Sequence, residues 1–165
     1  ASHIIDIEAM TGDACTFSVG VMNAGKWVNC VSSEATAEVL SMSKRQQDLD
    51  DGSNKMLAFN DPDGDVMTKV SVGLTRPVWN ASETGLKLVD LANRLSTQLG
   101  QPFHHESSGG GSDGNFTGAM GVPTLDGLGV AGDKYHTLEE HIEIDSLSMR
   151  GKMMAGLLMG IDRDL

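Results

Sequence analysis

Apolar and polar residues alternate with a period of two along three stretches of the first half of the chain. In residues 16–23, Phe17, Val19 and Val21 take every second place, the pattern of a strand with one buried face. Ala24, Gly25 and Lys26 form a turn signal, and residues 27–42 alternate again over a longer run, so the two stretches read as a hairpin. Residues 66–74 give the third alternating run. Between them, Leu49, Met56, Leu57 and Phe59 are spaced for one helical face of a polar segment, residues 43–60, which Gly52 interrupts. The turn Asp61-Pro62-Asp63-Gly64-Asp65 follows. Residues 1–10, with Ile4 and Ile5, read as the tail of a helix that Thr11, Gly12 and Asp13 end. A helix that opens without a cap raises the expectation of preceding chain. The order strand, strand, helix, strand builds a small antiparallel sheet with a helix on one face.

From Arg76 and Pro77 onward the period changes. Asn80 and Glu83 have capping-box spacing, and Leu88, Leu91, Leu95 and Leu99 repeat at the helical period until Gly100 and Pro102 stop them. Residues 103–107 read as a short strand, residues 112–120 as a short helix after three glycines, and residues 122–128 as a buried strand. Asp145 can cap a last helix, on which Leu147, Met153, Met154, Leu157, Leu158 and Ile161 form an apolar stripe. Helix alternating with strand argues for a piece of an α/β layer.

Composition narrows the function classes. The 165 residues suffice for one ordinary domain or two small ones. A formal charge of −11 with no Lys/Arg stripe argues against a nucleic-acid partner. No apolar run approaches the roughly 18 residues of a membrane span. Residues 1–6 lack the basic and apolar segments of a secretory signal. The compartment stays open on this basis, with the cytoplasm favoured. Aromatics are scarce at 4%, and the 10 methionines are expected to fill core space. Cys15 and Cys30 form no CxxC pair and read as buried or half-buried thiols. A disulfide between them stays open.

Three strings carry candidate chemistry: GGGSDGNF from Gly109, GVPTLDGLG from Gly121, and YHTLEEHI from Tyr135. In the first, the glycines let backbone approach a ligand, and the amides of Gly111 and Ser112 would lead into a helix N-terminus suited to a carboxylate. In the third, His136 follows a Gly-rich loop, and His141 stands five residues on, not at the HExxH spacing. Glu139, Glu140 and Glu143 read as a solvated face.

Together with Arg76-Pro77 and the stretch WVNCVSSEATAEV from Trp27, these strings resemble the C-terminal part of the dinuclear zinc peptidases. That family comprises glutamate carboxypeptidases, aminoacylases and succinyl-diaminopimelate desuccinylases. The resemblance covers nearly the whole chain. It implies an α+β fold: an incomplete ferredoxin-like lid, or dimerisation, domain over residues 1–75, then a C-terminal catalytic subregion over residues 76–165. It implies two zinc ions in the parent enzyme, which hydrolyses an amide bond in a small peptide or N-acyl amino acid. On the resemblance, His136 matches a zinc ligand, Gly111 a backbone contact near the substrate carboxylate, Asn29 a lid asparagine that reaches substrate, and Arg76 an active-site arginine.

Two departures qualify the match. The family's other zinc ligands and its catalytic Glu belong to an N-terminal half with no equivalent here. In addition, Met42 stands where the lid strand usually carries a carboxylate-binding arginine, and Ser32 replaces a proline. The chain by itself is therefore expected to hold no catalytic residue and to show no activity, and zinc is expected in the parent enzyme rather than in this chain. The rivals are a non-catalytic, self-associating truncated or diverged protein, and a mononuclear site drawn from His136, His141, His104 and His105. A homo-oligomer is expected from an uncovered sheet edge and exposed apolar surface. Residues 109–111 and the His136 ring are expected on one rim, fixed by a strand at 122–128.

Overall fold

The computed structural model describes residues 2–164, with side chains through residue 161. The chain forms two compact units, Ala1–Val78 and Trp79–Leu165. Both combine helices with a two-stranded antiparallel sheet, so the class is α+β.

In the first unit, α1 (Ser2–Ala9) precedes the hairpin of β1 (Thr16–Ala24) and β2 (Ala35–Met42), and α2 (Gln46–Leu57) follows. Ala1, the first residue of the expected opening helix, lies outside the described residues. The hairpin register pairs Thr16 with Met42 and Ala24 with Ala35, with an irregularity between Val19 and Val21. The second strand is shorter than the alternation over residues 27–42 suggests. Residues 25–34 form its connecting loop instead, because Trp27, Val28 and Val31 have no surface to cover and stand exposed. Ile7, Cys15 and Phe17 make the core, with Met10, Val19, Val39, Met56 and Phe59 against them.

Gly52 sits inside α2 and is buried. A Cβ there would lie 2.8 Å from Cys15 Sγ and 3.2 Å from Phe17 Cζ. The residue that weakens the helical pattern is thus the one that lets α2 close on the sheet. After α2, residues 66–74 run without a ladder: Asp61 and Thr68 form a lone bridge, and Asn60 pairs its side chain with both backbone groups of Val70. Val66, Met67, Val72 and Leu74 are exposed. The expected third strand therefore does not join the sheet, because its alternating apolar side chains cover no surface in this unit.

In the second unit, α3 (Glu83–Gln98) packs on α5 (Ile144–Asp164). Leu91, Ala92, Met153 and Leu157 form the core, and Leu95, Phe103, Leu125 and Leu128 flank it. Ser82, not Asn80, caps α3: its hydroxyl accepts the Gly85 amide at 3.0 Å. At the other end, the Gly100 amide reaches Thr97 O and the Gln101 amide reaches Ser96 O. With Gly100 at φ 65°, this is the left-handed stop in which glycine carries no Cβ penalty. The short α4 (Gly114–Ala119) lies between α3 and the hairpin of β3 (Gly132–Asp133) and β4 (His141–Ile142).

Residues 103–107 and 122–128 are irregular and pair with no strand among the described residues. Their apolar periodicity is satisfied by packing instead: Phe103, Leu125 and Leu128 lie on the helical core. The methionine expectation is corrected as well. Only Met153 is buried and only Met10 and Met56 are half-buried; in the α3–α5 core Met153 packs with Leu91, Ala92 and Leu157. No helix among the described residues, α5 included, is long and apolar enough to cross a membrane.

Candidate functional site

The β3–β4 hairpin presents His136. Its base is fixed by α5: the Ser146 hydroxyl accepts the Ala131 amide at 3.0 Å and donates to Glu143 O, while the Glu143 amide reaches Ala131 O at 2.9 Å. Ser146 is 2% exposed, so this bond is shielded from water and worth more than a surface one. A Cβ on Gly132 would lie 2.3 Å from His141 O, so the two strands approach as closely as they do only with glycine there.

Inside the hairpin the backbone is tied to itself. The Asp133 carboxylate accepts the Lys134 amide, Tyr135 Oη donates to Gly132 O, and the Thr137 hydroxyl donates to Lys134 O. Lys134 Nζ bonds the Glu139 carboxylate. The His136 amide points to Glu140 Oε2 at 3.3 Å. Lys134 and His136 both occupy the left-handed region, at φ 58° and 63°. A non-glycine residue there costs about 1–3 kcal/mol and persists only where its surroundings hold it. The internal bonds do so, and the His136 side is left exposed. His141, by contrast, turns its Nδ1 to Glu139 O at 2.9 Å.

The glycine loop is less open than its composition suggests. The Gly110 amide is taken by the Ser108 hydroxyl, and the Ser112 amide by Asn115 Oδ1 at 2.9 Å. The pair of donors read from Gly111 and Ser112 is therefore corrected: the Ser112 amide serves the loop itself. Gly111 is exposed. The six-residue α4 is held from its side by Trp79, since a Cβ on Gly118 would lie 2.3 Å from the indole and one on Gly114 3.5 Å from it. Glycines four apart on a helix are the sequence signal for such a contact, and it went unread. Ser146 offered none, being one serine at the start of a helix.

In the first unit, Asn29 is exposed in the hairpin loop, its Oδ1 3.8 Å from the Cys30 thiol. Cys30 is exposed and free, which corrects the expectation of a buried or half-buried thiol, and Cys15 is buried and free. Burial pushes the Cys15 thiol pKa up, against a weaker opposing pull from Lys55. Arg76 is exposed in the irregular stretch that ends this unit. Asn29 and Arg76 thus lie in one unit, Gly111 and His136 in the other.

These side chains do not make a metal centre. Among the described residues no three His, Cys, Asp or Glu side chains gather closely enough to hold an ion. Zinc takes four ligands in structural sites and three protein ligands in catalytic ones, so His136 by itself does not fit the requirement. The mononuclear alternative built from His104, His105, His136 and His141 is unsupported for the same reason.

Comparison with known proteins gives this hairpin its setting. Residues 7–160 match Peptidase family M20/M25/M40. The chain is similar to carboxypeptidase G2 of Pseudomonas sp. (strain RS-16), with 30% identity over 151 residues, covering 88% of this chain and 36% of that protein. It is also similar to the uncharacterised protein YqjE of Bacillus subtilis (strain 168), with 25% identity over 146 residues, covering 87% of this chain and 39% of that protein. In fold it resembles a tripeptidase of Staphylococcus aureus subsp. aureus Mu50 (TM-score 0.70, 23% identity, 98% of this chain and 44% of that one). It likewise resembles the aminopeptidase PepT of Bacillus cereus ATCC 10987 (TM-score 0.65, 22% identity, 98% of this chain and 45% of that one). The chain thus spans less than half the length of each. With nearly all of its length matched, the chain belongs to Peptidase family M20/M25/M40.

Proposed function

We propose that this chain supplies one part of a zinc-dependent amidohydrolase site, of carboxypeptidase or N-acyl-amino-acid hydrolase type, and is inactive by itself. The observation that carries the reading is the left-handed backbone of His136, held by the hairpin's own hydrogen bonds while the residue stays exposed. Strain maintained at such a cost marks a residue placed for use. In this reading His136 is a zinc ligand. Gly111 offers backbone to the substrate carboxylate, and Asn29 and Arg76 contact a small peptide or N-acyl amino acid. Zinc, when bound, would polarise the scissile amide, but the remaining ligands and the general base have no counterpart in this chain.

Assays with N-acyl amino acids and C-terminal glutamyl peptides, with zinc added, should show no hydrolysis above background. Chelator-sensitive turnover that His136→Ala abolishes would show that the chain completes a site by itself. A second reading, a non-catalytic self-associating protein, is favoured by one observation. The sheet of the first unit has only two strands, and Val21, Met22 and Leu40 on them are exposed. Unpaired edges of this kind recruit a further strand, which a second copy can provide.

A further inference from the structure

Asp51, Asp63, Asp113 and Asp126 are each followed by glycine. A glycine nitrogen can approach the preceding side-chain carboxyl unhindered, because no side chain stands in its way. The fold then separates the four pairs. Asp51-Gly52 lies inside α2, where Gly52 is buried. The Gly114 amide donates to the Ser112 hydroxyl at 3.0 Å. Asp63-Gly64 lies in the turn before the lone Asp61–Thr68 bridge, where Gly64 is set over the Asp61 carboxylate. Only at Asp126 does the glycine amide meet its own neighbour's carboxyl, with Gly127 N 2.8 Å from Asp126 Oδ1. Gly127 is left-handed at φ 67°, both residues are exposed, and no ladder holds them.

From this geometry we propose that Asp126-Gly127 is a site of isoaspartate formation in the folded protein, and so a substrate site for an enzyme that methylates isoaspartyl carboxyls. The Gly127 nitrogen bonds to Cγ of the protonated Asp126 side chain. The amide proton and the carboxyl hydroxyl leave together as water, giving a five-membered succinimide. Water then opens the ring at either carbonyl. Opening at the α-carbonyl leaves the chain running through Cβ and Cγ, with a free α-carboxylate and no net change in mass. The product carries one extra backbone methylene between Leu125 and Leu128, which both pack on the core. Asp133-Lys134 is an internal comparison: the Lys134 amide meets Asp133 Oδ1 at 2.7 Å, but the lysine side chain hinders ring closure.

The test is to age the native full-length chain, digest it, and locate isoaspartate by enzymatic methyl transfer and by peptide retention with fragmentation. The Asp126 peptide should convert first, with Asp51, Asp113 and Asp133 near background. In denaturant all four Asp-Gly pairs should convert at similar rates. Asp126→Glu should remove the leading product, since glutamate would have to close a larger ring. Conversion led by Asp63 or Asp51 in the native chain, or no conversion at Asp126, would overturn the assignment.

Discussion

At the scale of single residues, His136 holds a left-handed backbone that a side chain disfavours. Glycine enters the left-handed region without the Cβ clash that histidine suffers. His136→Gly should therefore stabilise the chain by about 1 kcal/mol, after allowing for glycine's greater freedom when unfolded. Thermal unfolding checks this, and a lower melting temperature for the variant would mean that the ring has a partner which the structure does not show. The cysteines give a second residue-scale expectation. Cys30 is exposed and should react with a thiol reagent at neutral pH, while buried Cys15 should react only on unfolding. The Cys15 pKa is raised in the folded state, so the fold holds that proton more tightly than the unfolded chain does. The associated stability is complete below the ordinary thiol pKa and declines as pH rises through it towards the raised value. Cys15→Ser should flatten that alkaline decline, as pH-dependent denaturant titrations would show. The three strings together point to His136 as a candidate, and the structure adds the hairpin that presents it. Its backbone strain was not legible in them, because nothing in the sequence announces a histidine at positive φ.

At the scale of elements, helices were the readable part. Leu88, Leu91 and Leu95 repeat along α3 at a spacing that only a helix satisfies, and the chain follows it from Glu83 to Gln98. The cap was misassigned because Asn80 and Ser82 are both good capping residues and only the geometry selects between them. Ser82→Ala should cost about 1 kcal/mol, whereas Asn80→Ala should leave the unfolding midpoint unchanged. Equal losses from the two variants would contradict the Ser82–Gly85 bond. Strands were less legible. Alternation records which side chains want burial, but a strand also needs a neighbour to take its hydrogen bonds. Residues 66–74, 103–107 and 122–128 have the pattern but join no ladder among the described residues beyond the lone Asp61–Thr68 bridge, while the hairpin over 16–42 carries its own. Gly52 shows the opposite failure of pattern reading. It looks like a helix breaker, yet it lies at the closest approach of α2 to Cys15 and Phe17.

At the scale of the molecule, the two small sheets and the exposed apolar residues set the expectation. Leu147, Met154 and Leu158 stand exposed along α5, while Met153 and Leu157 pack on α3. Surface of this kind, together with the two-stranded sheet of the first unit, should drive association. Light scattering at high micromolar concentration should report a mass above that of one chain, and a monomer throughout would argue against it. The family itself was readable because glycine-loop, strand and histidine strings occur in a fixed order over almost the whole chain. The metal set was not readable as a site here, because a centre is a gathering of ligands and this chain brings one candidate.

In the proposed reading, His136 is one ligand of a zinc site that this chain does not complete. Zinc content after extensive dialysis of the full chain tests it most directly, measured beside His136→Ala. Both proteins should retain far less than one zinc per chain. Tight stoichiometric zinc in the parent, lost in His136→Ala, would contradict it.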